Sequence, residues 1–423
     1  DIVLGTALVD MYAKCGAIVK AHEVLDILPI RNVVSWNALI SGYAQKGNCN
    51  EAFNCFEQMQ TEGISPNIVS FVGILKACSS TGAIDEGQRI HDVIVRGGFL
   101  EKSVVIGTAL IDMYAKCGFL VKAQNLFDDL PIRNTVSWSA LISGYAHQGQ
   151  GHEALKCFDR MKREGFPPDE VIFTSILKAC GSTGALEKGK LIHDEIASRV
   201  LLEKDILLGT ALVDMYAKCG VPLKAQEVLE ELPVRNVISW STLIVGYTHK
   251  GQGHEALECF ERMQREGLSP DPVAYVCILQ ACGNARDIDK GKQIHEDIVI
   301  NGLFERVAVL GNAIVDMYAK CGVLAKAQEV LERLPVRSIV SWSALIAGYA
   351  EQGQCQQALN CFEQMQSEGI SPNAVTLICI LKACGNIGAT MNGEQIHEEI
   401  MSRNLLMKDI ELGNALIDMY AKC

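Results

Sequence analysis

The chain has 423 residues, 49% of them apolar, and carries a formal net charge of -12 with a pI near 5.3. This length and composition supply ample core, while the acidity argues against a generally basic, charge-driven nucleic-acid binder, so any contact with a polyanion has to be local. No run of eighteen apolar residues occurs, and Asp1 to Asp10 lacks the basic-then-apolar grading of a signal peptide, so no membrane partner is expected.

In chain order, the first segment, Ile2 to Asn32, contains Met-Tyr-Ala-Lys-Cys at Met11, and this string returns at Met113, Met215, Met317 and Met419, always 102 residues on. Trp36, Trp138, Trp240 and Trp342 keep the same step, as do Cys78, Cys180, Cys282 and Cys384, and His91, His193, His295 and His397. Copying at a fixed period marks a repeat architecture. Each unit divides into three related segments, of which Val33 to Asn67, Ile68 to Ser103 and Val104 to Asn134 form the first complete set, 35, 36 and 31 residues long. In the first of these, Trp36, Leu39, Ile40 and Tyr43 follow the i, i+3, i+4, i+7 spacing of one helix face, and Ala52, Phe56 and Met59 mark a second helix. Gly47 separates the two. Gly63 followed by Pro66 ends the second, since glycine accepts left-handed torsions and proline cannot continue a helix.

Each segment is therefore expected to be a helical hairpin, too small to cover its own apolar face, so that neighbours must stack. The expected fold is all-α, a right-handed α-solenoid superhelix with one concave side. It runs as a single array over 1–423: segments 2–32, 33–67, 68–103, 104–134, 135–169, 170–205, 206–236, 237–271, 272–307, 308–338, 339–373 and 374–409, with a truncated thirteenth over 410–423. Because the chain opens on Asp1 and stops at Cys423 inside a motif that earlier copies continue, any targeting peptide or C-terminal domain is expected outside it. Seventeen cysteines include no Cys-x-x-Cys pair, and most, those of Met-Tyr-Ala-Lys-Cys and the Cys78 series among them, sit at fixed repeat positions, so they read as small buried apolar residues in a reducing compartment rather than as disulfides or zinc ligands.

The segments resemble the three motif types of plant PLS-class pentatricopeptide repeat proteins, a group of organellar RNA-binding and editing factors. Val-Ser-Trp-Asn-Ala-Leu-Ile-Ser-Gly-Tyr is similar to a P motif, Ile-Leu-Lys-Ala-Cys to an L motif and Asp-Met-Tyr-Ala-Lys-Cys-Gly to an S motif. The resemblance covers essentially the whole chain, in S-P-L order, and no E or DYW domain falls within it. It implies sequence-specific binding of single-stranded RNA in a mitochondrion or chloroplast, with an editing deaminase or accessory editing proteins as further partners, no cofactor, and no enzymatic activity in these residues.

A reader of this kind needs one polar side chain per repeat for a base edge and a second to fix its choice. By resemblance these are the fifth and last residues of a motif. The P motifs supply Asn37 with Asn67, Ser139 with Asp169, Ser241 with Asp271, and Ser343 with Asn373; the S motifs supply Thr6 with Asn32, Thr108 with Asn134, Thr210 with Asn236, and Asn312 with Ser338. Among the L motifs only Thr174 with Asp205 looks competent, since Val72 stands with Ser103, Val276 with Val307 and Ile378 with Asp409. Under the family's rule, Ser or Thr with Asn favours A, Ser or Thr with Asp favours G, and Asn with Asn or Ser favours C. The implied site is 5'-A-C-n-A-G-(G)-A-G-n-C-A-n-3'.

The second motif residue, by resemblance, packs on base faces: Val3, Val34, Val105, Val136, Leu207, Ile238, Val309 and Val340, with Glu411 the exception. An equally open reading is that these residues start helices against the preceding hairpin. Lys14, Lys116, Lys218 and Lys320 could attract phosphate or simply be solvated. The four tryptophans read as core rather than as stacking platforms, because each begins an apolar stripe.

Gly184 to Lys190 spells Gly-x-x-x-x-Gly-Lys, but Leu191 replaces the required Ser or Thr and no strand precedes it. His193-Asp194-Glu195 and His397-Glu398-Glu399 match the His-x-Glu of zinc deaminases without a following Pro-Cys-x-x-Cys, so the histidines read as structural and no metal is expected. The alternative to RNA binding is a tetratricopeptide-like protein-interaction scaffold. That pattern expects a small residue where Ile40, Ile142, Ile244 and Ile346 stand, and it does not cycle through three lengths.

Overall fold

The computed structural model describes residues 2–101, 103–199, 201–202, 205–406 and 409–423, and all regular structure among them is helical. The chain divides into two compact units, Asp1–Cys219 and Gly220–Cys423. The first unit holds six hairpins: α1 (Ile2–Lys14) with α2 (Ile18–Ile27), α3 (Val33–Gln45) with α4 (Cys49–Thr61), α5 (Ile68–Thr81) with α6 (Ile84–Arg96), α7 (Val104–Lys116) with α8 (Leu120–Asp129), α9 (Thr135–His147) with α10 (Gly151–Arg163), and α11 (Glu170–Thr183) with α12 (Leu186–Ser198). It ends on α13 (Ile206–Lys218).

The second unit opens on α14 (Pro222–Glu231) and continues through α15 (Val237–His249) with α16 (Gly253–Arg265), α17 (Pro272–Ala285) with α18 (Ile288–Ile300), and α19 (Ala308–Lys320) with α20 (Leu324–Arg333). It closes with α21 (Ile339–Glu351) and α22 (Cys355–Ser367), α23 (Ala374–Ile387) and α24 (Thr390–Ser402), and finally α25 (Ile410–Lys422).

Within each unit the first helices of successive hairpins pack side by side in one layer: α3 lies against α1 and α5, and α7 against α5 and α9. Each second helix packs on its own partner and on the next first helix, as α4 does on α3 and α5. Every helix touches only near neighbours, which is a length of α-solenoid in each unit. The stripes seen in the sequence line the seams. Trp36, Leu39 and Ile40 from α3, and Ala52, Phe56 and Met59 from α4, are all buried, the larger ones contributing on the order of 1.5–3 kcal/mol each. The first helices approach closely where small residues meet: a Cβ added at Gly144 would collide with Ala115 of α7 and come within 3.5 Å of its Cα. Gly47 turns the α3–α4 hairpin at φ 68°, a left-handed torsion costly for any other residue.

Two polar devices, not anticipated from the sequence, join successive hairpins. Arg31, just before the start of α3, donates from Nε to the Leu25 carbonyl at 3.0 Å and from Nη2 to the Asp26 carbonyl at 3.1 Å, closing the end of the short α2. Its remaining nitrogen pairs with Glu62 at the far end of the next hairpin, and Glu62 also accepts from Trp36 Nε1 at 3.3 Å. Arg235 with Glu266 and Trp240, and Arg337 with Glu368 and Trp342, repeat the arrangement. At the second copy Glu164 lies 3.7 Å from Arg133 but also pairs with Arg160 at 2.9 Å, and the buried Trp138 Nε1 has no partner among the described residues.

The second device is a tyrosine hydroxyl on a first helix meeting a polar side chain of the preceding second helix. His91 Nδ1 lies 2.8 Å from Tyr114 Oη and His295 Nδ1 3.0 Å from Tyr318 Oη, and Tyr145 donates to Gln124 at 3.1 Å. Burial holds His91 and His295 below the ordinary imidazole value. His193 and His397 make the same contact, each 3.0 Å from a tyrosine hydroxyl, so these histidines pack between helices.

The cysteine expectation needs one correction. Cys78, Cys180, Cys282 and Cys384 are fully buried, but the Met-Tyr-Ala-Lys-Cys cysteines sit at helix ends, where Cys117, Cys219 and Cys321 are half-buried and Cys15 and Cys423 exposed.

Candidate nucleic-acid interface

The layer of first helices presents one face lined by the second, fifth, ninth and thirteenth residues of each helix, about one turn apart. In the first unit this face holds a cavity of about 560 Å³ lined by Val72, Lys76, Val105, Thr108, Asn134, Val136, Ser139 and Val171 among others, and a second of about 440 Å³ lined by Val34, Asn37, Asn67 and Val69. Polar pairs thus lie at the floor of slots walled by aliphatic side chains.

The wall residues are exposed. Val3, Val34, Val105, Val136, Leu207, Ile238, Val309 and Val340 retain between 54% and 77% of their accessible surface, so more than half of each is open rather than buried in the hairpin seams. Val69, Val171, Val273 and Val375, at the same helix position in α5, α11, α17 and α23, are equally exposed and had been missed, although the second-position rule would have found them.

The last residue of each proposed pair turns out to be a helix N-cap. Asn32, Asn67, Asn134, Asn236 and Ser338 each close a capping box with a serine three residues on, and Asp169, Asp205, Asp271, Asn373 and Asp409 cap with the carboxylate or amide oxygen. Only Ser103 and Val307 occupy the position without a side-chain cap. Polarity at this position therefore stabilises helix initiation whatever the chain binds, although α19 starts after the apolar Val307 without it. At Asn67, Asn134, Asp169 and Asp271 the cap uses Oδ1, and among the described residues no hydrogen bond engages the other terminal atom. That atom is a donor Nδ2 on asparagine and an acceptor oxygen on aspartate.

Four pairs are joined directly. Asn32 Nδ2 donates to Thr6 Oγ1 at 3.3 Å, Asn37 Nδ2 to Asn67 Oδ1 at 3.1 Å, Ser241 Oγ to Asp271 Oδ1 at 2.9 Å, and Ser338 Oγ to Asn312 Oδ1 at 3.0 Å. Ser343 reaches Asn373 through Thr376, by contacts of 2.6 and 2.8 Å. Among the described residues no hydrogen bond joins Thr108 to Asn134, Ser139 to Asp169, or Thr174 to Asp205. Thr174 Oγ1 instead donates to the Glu170 carbonyl of its own helix, and the buried Thr108 Oγ1 has no partner. Thr210 belongs to the first unit and Asn236 to the second. Asn37, Ser241 and Ser343 are themselves buried, so in those hairpins the fifth residue lies beneath the last and aims it.

The candidate phosphate lysines are already engaged. Lys14, Lys116, Lys218 and Lys320 each pair with the aspartate one turn earlier at 2.7–2.8 Å, which cancels most of the field they would offer a polyanion. Lys76 and Lys382, on the same face of α5 and α23, have no carboxylate within ion-pair range among the described residues, and Lys178 meets His147 at 2.9 Å. The four tryptophans are buried and excluded from this face. Among the described residues no group of three metal-binding side chains exists, and no helix is long and apolar enough to cross a membrane.

Comparison with known proteins bears on this face. Models of the PPR repeat family match residues 31–80, 133–182, 235–284 and 337–386, and a PPR repeat model matches 108–134 and 210–237. A chloroplastic pentatricopeptide repeat-containing protein of Arabidopsis thaliana is 37% identical over 92% of this chain and 62% of its own length, and a mitochondrial one is 33% identical over 100% and 61%. The chain thus spans about three-fifths of the length of these relatives. In structure, the crystal structure of the pentatricopeptide repeat protein PPR10 from maize matches with a TM-score of 0.66 at 19% identity, covering 99% of this chain and 66% of that one. PPR10 in complex with an 18-nt psaJ RNA element matches with a TM-score of 0.60 at 17% identity, covering 91% and 67%. The hairpin layers, the fixed period and these matches agree: the chain belongs to the pentatricopeptide repeat family.

Proposed function

We propose that the exposed face of the first helices binds single-stranded RNA sequence-specifically, one base per hairpin, over a site close to 5'-A-C-n-A-G-(G)-A-G-n-C-A-n-3'. The observation that carries this reading is the pairing of N-cap residues with exposed aliphatic walls around one cavity, as Asn134 with Val105 and Val136, a slot that offers a base both an edge and a face. An aspartate acceptor suits the N1–H and N2–H donors of guanine, and an asparagine donor suits the N1 acceptor of adenine, so one substitution at a cap changes the base favoured while the cap persists. PPR10 in complex with RNA supports the choice of partner, and the chloroplastic and mitochondrial relatives support an organelle as the place. The chain acts as a binder rather than an enzyme. In RNA editing or processing it would position a strand for a deaminase or accessory protein, whose catalytic groups are not among these residues.

The test is a titration of this chain against labelled RNA of the proposed sequence, a scrambled RNA and the matching DNA at near-physiological salt. Tight binding to the proposed RNA alone is expected. Absence of binding to any of the three would overturn the reading in favour of a protein-interaction scaffold.

A further inference from the structure

The joint between the α3–α4 and α5–α6 hairpins contains two thiols that neither packing nor RNA recognition requires. Cys49 is the first residue of α4, Cys78 lies in α5, and their sulfurs are 3.7 Å apart. The same two positions hold Cys355 and Cys384 in the second unit, both buried. In the two intervening copies the partner of the conserved-position cysteine is a glycine: Gly151 with Cys180 and Gly253 with Cys282. Glycine satisfies this joint, so packing alone does not demand a thiol there.

The surroundings separate the two sulfurs chemically. Cys49 sits in the first turn of α4, whose N-terminus the Asn48 side chain does not cap, and the positive end of a helix favours a thiolate. The neighbouring Cys78 and Thr81 favour its thiolate over the thiol and hold its pKa below the ordinary thiol value despite burial. Cys78 is pushed upward by the same hydrogen bond and by burial, and remains a thiol. Cys55, nearly two turns further along α4 and the nearest competitor in sequence, is pushed up to about 12 by burial and is inert. Cys49 also keeps 5% of its surface open, while Cys78 is sealed at 0%. A small oxidant therefore meets Cys49 first.

We infer that Cys49 and Cys78 form a peroxide-sensitive dithiol that closes to a disulfide and clamps the α4–α5 joint. The Cys49 thiolate attacks one oxygen of hydrogen peroxide, and the O–O bond breaks with loss of hydroxide, which is protonated to water. The resulting Cys49 sulfenic acid is attacked at sulfur by Cys78; the S–O bond breaks, and the departing hydroxide takes the Cys78 proton to leave as a second water. Two thiols lose two electrons and two protons, and one peroxide becomes two waters. Forming the bond draws the sulfurs in to about 2.05 Å. Helix α5, which carries Cys78, is the helix whose N-terminus Asn67 caps, with Asn37, Asn67 and Ser70 linked by hydrogen bonds of 2.6 and 3.1 Å at that end. The clamp thus ties α4 to α5 at this joint and leaves glycine-containing joints untouched.

The full chain, reduced and then exposed to hydrogen peroxide near neutral pH, would be alkylated, digested with trypsin and analysed by mass spectrometry. Residues 47–76 are expected joined to residues 77–89, two hydrogens lighter than the separate peptides, with fragment ions placing the link at Cys49 rather than Cys55. The oxidised chain should show a higher Tm that dithiothreitol reverses. Cys49→Gly, which installs the residue found in the neighbouring copies, should fold, give no linked peptide and show no peroxide-dependent rise in Tm. Full alkylation of Cys78 after peroxide treatment, or the same rise in Tm in Cys49→Gly, would overturn the inference. None of these readouts involves RNA, so the outcome is independent of the proposed binding function.

Discussion

The end of the α3–α4 hairpin and the end of the α5–α6 hairpin occupy the same place in the repeat and are built differently. Asn67 caps α5 through Ser70 and also accepts from the buried Asn37. Ser103 makes no side-chain cap on α7 and stands with the apolar Val72. The last residue thus serves two ends at once, starting the next helix and presenting a polar atom, whereas the fifth residue starts no helix and is polar where it supports the last, as the buried Asn37 does beneath Asn67. Asp409 makes the separation plain, since it caps α25 with Ile378 at the fifth position. A polar last residue is therefore poor evidence for RNA reading on its own, and the polar fifth residue is the stronger mark.

The sharpest way to break this comparison is Asn67→Ala against Ser103→Ala. The first removes the cap and strands the buried Asn37 amide, and is expected to cost about 1–3 kcal/mol, read as a lowered urea midpoint; the second should change the midpoint by less than about 0.5 kcal/mol. Equal losses in the two variants would show that capping is not what distinguishes them.

Asp169→Asn keeps the N-cap oxygen and exchanges only the outward atom. Stability should stay within about 0.5 kcal/mol, while binding should shift from G to A at one position by on the order of 1 kcal/mol, roughly fivefold, measured with RNAs differing at that base. A uniform loss at every base would count against the assignment of the pair. The smallest effect is a gain: Ser103→Asp should supply the missing cap on α7 and raise stability by about 0.5–1 kcal/mol in thermal or urea melts.

The helical hairpins were legible because their signals are local. Stripes such as Trp36, Leu39, Ile40 and Tyr43, and the glycine turn at Gly47, are written within one helix or one loop. The pairing of Lys14 with Asp10 was equally local, one helical turn apart, and could have been read before assigning the lysines to phosphate. What could not be read lies between hairpins. Arg31 finds Glu62 across 31 residues, and whether Asn37 sits beneath Asn67 or beside it depends on how two hairpins stack. The exposure of the valines was undecidable for the same reason, since a buried helix start and a base-facing wall ask for the same chemistry.

The neighbour-only packing within each unit also bears on folding. Among the described side-chain hydrogen bonds the longest sequence separation is 39 residues, from Cys117 to the Cys78 carbonyl. Contacts this local close small loops, so nucleation at any pair of hairpins is cheap in chain entropy and growth proceeds by adding one hairpin to an existing edge. Unfolding should run the same way in reverse, fraying from the termini of each unit while interior hairpins keep their amide protons. A lesion in one hairpin would then lower protection there and in its neighbours and leave distant hairpins as they were.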